Sequence, residues 1–274
     1  MSISTSVSTS IDNFANYLNE NFSFIFAGVS AAVGAVTDSV AHVLSSTPPW
    51  ALIAITTIFA LWRGGIGLAL LAAAGLGIIE VLELWAPSMV TLSLVLSSIF
   101  FSLLIGIPIG ALISESERLR KWSEPILDFM QTMPSFVLLV PAVLFFGVGN
   151  VPAVIATVFF AMPLPIRFAA HGLATVDKEA VEAGHSLGAT RLQLLFLIKL
   201  PLAFKTIMVG VNQCTMMCLA MVIVASMIGA GGLGDEIIRA ISRLQIGKGI
   251  QAGFAVVILA ILMDRITKKI SNVF

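Results

Sequence analysis

The stretch EAGHSLGATRLQLLFLIKLP, Glu182 to Pro201, lies inside a chain of 274 residues that is 58% hydrophobic and only 11% charged. It opens on a carboxylate, carries glycines at 184 and 188, and closes on a proline. Upstream, Asp177 is suited to cap a helix running to about Leu187, since a side-chain oxygen there satisfies a free N–H of the first turn. Gly188 takes positive φ without penalty and stops that helix. Thr190 with Gln193 makes a T-x-x-Q capping box that starts a second helix, and Pro201 marks the boundary with the apolar run beyond. The reading is two short helices at an angle, facing water, with an exposed elbow of Ala183, Gly184, Leu187, Gly188 and Ala189. Side chains this small let a partner's backbone approach closely. The plainer alternative is a connecting loop whose glycines only end helices.

Around that elbow the chain is built for a bilayer. A mean hydropathy of +1.03 lies far outside the balance of a soluble domain. Apolar runs at 50–62, 66–85, 88–113, 125–147, 151–171, 203–228 and 250–266 predict seven spans, the first one short and turned by Arg63-Gly64-Gly65. Ahead of them, Ile11, Phe14, Ala15 and Leu18 share one helical face, which Phe22, Ile25, Val29, Val33, Val36, Val40 and Val43 continue. Asp38 and His42 fall on the other side, so this segment reads as an amphipathic helix along the membrane surface with a solvated polar face. The opening MSISTSVSTS has no basic n-region and no cleavage site, and reads as a frayed tail.

Cations set the orientation. Arg63, the cluster Arg118 to Lys121, the stretch Arg167 to Lys205 and the tail from Arg265 place twelve of the 15 Lys and Arg on one side. By the positive-inside rule that side is cytoplasmic, with the N-terminus outside and the C-terminus inside. Trp50, Trp62, Trp85 and Trp122 fall near helix ends, where an indole prefers the headgroup level. No ionisable residue sits at the centre of a span, so the proton relays of pumps are not indicated.

Several motifs carry no chemistry. Gly229-Ala230-Gly231-Gly232-Leu233-Gly234 satisfies G-x-G-x-x-G, but a spanning helix precedes it where a dinucleotide fingerprint needs a strand. It reads as an external loop leading into a short helix whose Ile237, Ile238, Ile241 and Leu244 form a stripe and whose Asp235 and Arg239 pair one turn apart. There is no G-x-x-x-x-G-K-[ST], no G-x-S-x-G and no H-E-x-x-H. His42, His171 and His185 are scattered, and Cys214 and Cys218 fit packing better than a zinc or disulfide framework, so no metal site and no catalytic residue is assigned. With zero net charge and no basic tract, nucleic acid is not expected. A pathway across the bundle needs polar or soft lining, for which the candidates are Gln131, Met133, Pro134 and Ser135, then Met162, Pro163 and Pro165, then Asn212, Gln213, Met216 and Ser226. Each serves equally well as a kink or as polar glue between helices.

The pattern Glu182-Ala183-Gly184, three residues, Gly188, nine residues, Ile198-Lys199-Leu200-Pro201 resembles the EAA signature of ABC-importer permeases, with Gly184 where alanine is common. APSMVTLSLVLSSIF, LDFMQTMPSFVLLVPAVLFFGVGNVP and GVNQCTMMCLAMVIVASMIGAGGLG are similar to the glycine betaine/proline betaine permease branch, and the likeness covers most of residues 50–266. This resemblance implies an all-α integral membrane protein of about seven transmembrane helices, a five-helix type I ABC importer core plus two, with the N-terminal amphipathic helix outside. The expected divisions are 1–49, an external tail and amphipathic helix; 50–85, two additional helices; and 86–270, the permease core with a coupling loop at 172–202. It further implies a bacterial inner-membrane location, a second permease copy, two cytoplasmic ATPase subunits that bind ATP and Mg, and an external binding protein, with no cofactor in this chain. Glu182, Ala183, Gly184, His185, Leu187, Gly188, Arg191 and Pro201 would serve ATPase coupling. The helix bearing Asp235, Arg239 and Arg243 meets the binding protein or only covers the bundle. A cage for a methylammonium cation needs aromatic faces. Tyr17 is the single tyrosine, so the cage is expected on the binding protein. The resemblance implies a permease subunit of an ATP-driven importer for quaternary amines or compatible solutes; an ABC permease for another small solute such as an amino acid or trimethylamine N-oxide, a passive osmotic channel and a membrane enzyme are the competing readings.

Overall fold

Helices occupy nearly all of the chain, and the computed structural model describes residues 3–271, among which there is no strand. The side chains of Ile11, Phe14 and Ala15 lie outside what is described, and only the helical backbone there is known. α1 (Ile3–Ser46) is one continuous helix from its third residue, where a frayed tail was expected. Its stretch Asn16–Ser46 has the length and hydropathy of a membrane span. Phe26 stacks on Phe145 at 4.7 Å and meets Phe146 edge-on, and a Cβ on Gly34 would lie 3.6 Å from Val151. Asp38 and His42 are exposed, as expected of a solvated face.

α2 (Pro49–Gly64) and α3 (Ile66–Val81) form a hairpin turned at Gly65, which takes φ +80°. Each has 16 residues, about 24 Å of helix, short of a typical hydrocarbon core. Among the described residues, five helical stretches are long and apolar enough to cross a bilayer: Asn16–Ser46, Trp85–Ser114, Asn150–Ala174, Arg191–Ile228 and Ile246–Ser271. The expected span at 125–147 is divided. α5 (Glu117–Thr132) ends because Pro134 drives Met133 to ψ +131°, out of the helical region, and α6 (Leu139–Phe146) resumes after the bend.

α4 (Trp85–Ser114) is the spine, and α8 (Pro163–Ala174), which continues α7 (Asn150–Ala161) through Met162, packs along it. Lipid tails are as apolar as leucine, so burial alone does not drive such contacts; close packing does. Gly106 and Gly110 permit it. A Cβ on Gly110 would stand 2.6 Å from the Ile166 carbonyl oxygen and 2.7 Å from Ala169 Cβ, and one on Gly106 would stand 2.8 Å from Pro165 Cγ. On the other side of α8, Gly210 of α11 (Leu200–Ala225) meets Phe168 in the same way. Some buried hydroxyls are satisfied within their own helix, as in Ser98 to Leu94 O at 2.7 Å and Thr157 to Ala153 O at 2.7 Å, whereas those of Ser88, Ser97 and Ser102 on α4 have no partner among the described residues.

Three long-range bonds mark the ends of the bundle. At one end Lys199 Nζ reaches Glu115 Oε1 at 2.9 Å; at the other the Leu233 amide donates to Thr91 Oγ1 at 2.8 Å, and the Gly149 amide donates to Ile228 O at 2.9 Å. α12 (Gly232–Ser242) and α13 (Ile246–Ser271) complete the chain.

Candidate functional site

The elbow forms as its local chemistry requires. Asp177 accepts from the Glu179 amide at 3.0 Å and starts α9 (Lys178–Ser186). Gly188 ends it at φ +79°, its amide donating to His185 O at 2.9 Å, and the Ala189 amide closes back on Gly184 O at 3.1 Å. The capping box is complete: the Thr190 amide donates to Gln193 Oε1 at 2.8 Å and the Gln193 amide to Thr190 Oγ1 at 3.4 Å. α10 (Arg191–Gln193) follows.

Pro201 does not end the second helix, contrary to the expectation. A π-helical turn, Leu194–Lys199, intervenes, and helix then continues unbroken to Ile228. The Leu200 amide reaches five residues back, to Leu195 O. A proline inside a helix lacks a donor and crowds the carbonyl four residues before it. The widened turn placed just ahead of Pro201 relieves that crowding. Lys199, the last residue of the turn, carries the bond to Glu115 and so braces the elbow against the end of α4.

Ala183, His185, Leu187, Gly188 and Arg191 are exposed, Leu187 at 88%, and Glu182 is exposed beside them. Gly184 is not on that surface. It is buried against the π turn, where a Cβ would meet Ile198 Cδ1 and lie 2.6 Å from Leu194 Cδ2. A glycine at this position is thus a close approach within the elbow.

The pathway candidates do not form one cluster. Gln131, Met133, Pro134 and Ser135 straddle the bend between α5 and α6. Met162 packs with Leu127, Met130 and Ile166, and Pro163 is fully buried between helices. Asn212 turns toward α13 and donates to Asp264 Oδ1 at 3.1 Å. Gln213 is exposed and Met216 half-buried, while Ser226 is buried at the far end, donating to Ile223 O at 2.6 Å with Gly234 pressed on it.

The loop 229–232 holds Gly229, Gly231 and Gly232 at positive φ, with no strand before it among the described residues. Asp235 and Arg239 pair at 2.7 Å as expected, and Arg243 is exposed. Only part of the expected stripe is covered. Ile237 and Ile238 are half-buried, whereas Ile241 and Leu244 are exposed, because Leu233, Gly234 and Ala240 make the buried contacts of α12.

Like the Lys199–Glu115 pair, the ion pair in which Arg167 of α8 holds Asp128 of α5, 39 residues away, had no sequence signal. Asp128 lies one turn from Gln131 and Arg167 one turn from Pro163, and the pair lines a pocket of about 340 Å³ with Arg120, Glu124 and His171. Only the fold brings its two partners together.

Residues 102–272 match the family described as the inner membrane component of binding-protein-dependent transport systems. The chain is 42% identical over 260 residues to the glycine betaine transport system permease protein OpuAB of Bacillus subtilis, covering 95% of this chain and 92% of that one. It is 41% identical to the glycine betaine/proline betaine permease protein ProW of Escherichia coli, over 92% of this chain and 71% of the relative. It is 37% identical to the trimethylamine N-oxide permease protein TmoV of Pelagibacter ubique, over 82% of this chain and 31% of the relative. Among solved structures, an inward-facing MetNI methionine ABC transporter shares the fold, with a TM-score of 0.61 at 22% identity over 67% of this chain and 92% of that one. This chain is a multi-pass inner-membrane protein and belongs to the inner-membrane permease family of binding-protein-dependent ABC transport systems.

Proposed function

We propose that the chain is the membrane-spanning permease of an ATP-driven importer for glycine betaine and related quaternary amines or compatible solutes. The observation that carries this reading is the capped, solvent-facing elbow braced to α4 at the root of a 38-residue helical stretch. Such a device has a use where a partner pushes on it. The relatives named for glycine betaine, proline betaine, carnitine and trimethylamine N-oxide handle solutes sharing a fully substituted nitrogen, which supports the substrate class.

In this reading Glu182, Ala183, His185, Leu187 and Gly188 contact a separate ATPase that binds ATP and Mg, Arg191 borders that contact at the base of the elbow beside the α4 groove, and Gly184 and Pro201 shape the elbow from within. Two permease copies and two ATPases assemble with an external binding protein, which α12 meets through Asp235, Arg239 and Arg243. The pathway runs past Gln131, Met133, Pro134 and Ser135, past Met162 and Pro163, and past Gln213 and Met216, with Asn212 and Ser226 holding helices in place beside it. Residues 86–270 are the working core with its loop at 172–202, 50–85 add the hairpin and 1–49 the outer helix. The elbow and C-terminus lie in the cytoplasm and the N-terminus outside. The placement of Phe26 against Phe145 and Phe146, at the end opposite the elbow, supports that orientation. Closure of the ATPases then drives alternating access through a contact stronger in one state than the other.

Reconstitution into liposomes tests the assignment. Uptake of labelled glycine betaine should require binding protein, ATPase and internal ATP together. Nucleotide-independent passage through the permease alone would establish the channel reading instead.

A further inference from the structure

A groove of about 840 Å³ lies beside the elbow, between the inner end of α4 and the π turn. Its walls are apolar, with Ile107, Pro108 and Leu112 on α4 facing Leu195, Phe196 and Leu200. Both walls belong to stretches that qualify as membrane spans, and both stretches terminate here, at Ser114 and Arg191. The groove therefore sits where hydrocarbon gives way to headgroups. Its apolar lining continues along the outside of the bundle through exposed Leu104, Leu197 and Leu202.

The rim is cationic. Arg191 stands on it with no acidic partner among the described residues, next to His185, while Lys199 is paired with Glu115. An apolar trough ending in an unpaired guanidinium matches a phospholipid, with an acyl chain in the trough and a phosphate on the fork of N–H donors. A second copy of the chain would instead have to present a carboxylate to Arg191 at the depth of the headgroups. We propose that this groove is a binding site for an anionic phospholipid, which wedges the elbow against α4. The inference rests on the membrane boundary at Ser114 and Arg191, and it survives whatever solute the transporter carries.

Native mass spectrometry of the assembled transporter tests it, after delipidation and addition of phosphatidylglycerol or phosphatidylcholine in equal amounts. Phosphatidylglycerol should be retained in preference. Arg191→Gln should weaken its retention about fivefold, the effect of one basic residue at an anionic surface. Arg191→Lys should restore most of it, which separates lost charge from a misfolded elbow. Equal retention of the two lipids, or a glutamine variant that keeps phosphatidylglycerol as well as wild type, would overturn the site. So would wild-type protein that retains neither lipid, an outcome that leaves the groove to a protein neighbour. Solute uptake is not part of the readout, so failure here and failure of the transport reading are separate results.

Discussion

Gly110 and Gly184 are both buried glycines at which one helix presses on another, and they differ in what they press against. At Gly110 an added Cβ meets fixed backbone, the Ile166 carbonyl and the Ala170 amide, whereas at Gly184 it meets the ends of the Ile198 and Leu194 side chains. Backbone in a packed helix cannot retreat, but an isoleucine or leucine tip can change rotamer. The α4–α8 seam is therefore rigid, and the joint between α9 and the π turn yields. A transporter that converts a push at its edge into movement of its core needs both kinds of contact, and here one residue type supplies both.

The contrast is open to a graded set of tests. The largest effect should come from Gly110→Val, whose branched side chain has no space. Destabilisation of about 3 kcal/mol is expected, read from thermal unfolding in detergent. A variant that unfolds like wild type would show that the seam is not rigid. Next is Gly188→Trp at the tip of the elbow, where positive φ costs an L-residue roughly 1–2 kcal/mol and the indole stands in the proposed contact surface. It should insert normally into the membrane yet lose the ATPase on co-purification; retained co-purification would remove Gly188 from the coupling surface. A smaller effect belongs to the ion pair joining α5 and α8. A double-mutant cycle with Asp128→Asn and Arg167→Gln should give a coupling energy below about 1 kcal/mol, since Asp128 is 64% exposed and screened by water. The smallest effect should be that of Gly184→Ala, which restores the residue common in the resembled signature. Stability within about 0.5 kcal/mol of wild type and unchanged uptake are expected, because a gain in helix propensity offsets the displaced side-chain tips. A large loss there would mean that the elbow is as unyielding as the seam.

Local chemistry was readable in advance and long-range chemistry was not. Asp177, Gly188 and the Thr190–Gln193 box act within a few residues, and each formed as read. The break at Pro134 follows from sterics between neighbours, and it also divided an expected span in two. Pro201 misled for the complementary reason. Its effect on a helix depends on whether the preceding turn can widen, and hydrophobic periodicity does not report that. Gly184 was placed on the outside because small residues look alike whether they expose a surface or permit contact. The pairs Glu115–Lys199 and Asp128–Arg167 join residues 84 and 39 apart, and nothing near either partner in sequence marks it. The pathway candidates shared a polarity without sharing a location, so residue type alone could not group them.

The widened turn before Pro201 has a mechanical consequence. Because it spares the helix from breaking, Arg191 and Ile228 are the two ends of one rod of 38 residues, roughly 57 Å long. The far tip of that rod is tied through Ile228 to the Gly149 turn, and the start of α12 is tied through Leu233 to Thr91. A tilt imposed at the near tip must therefore arrive at the opposite mouth as a sideways throw, and the distance between the two mouths becomes the arm of a lever.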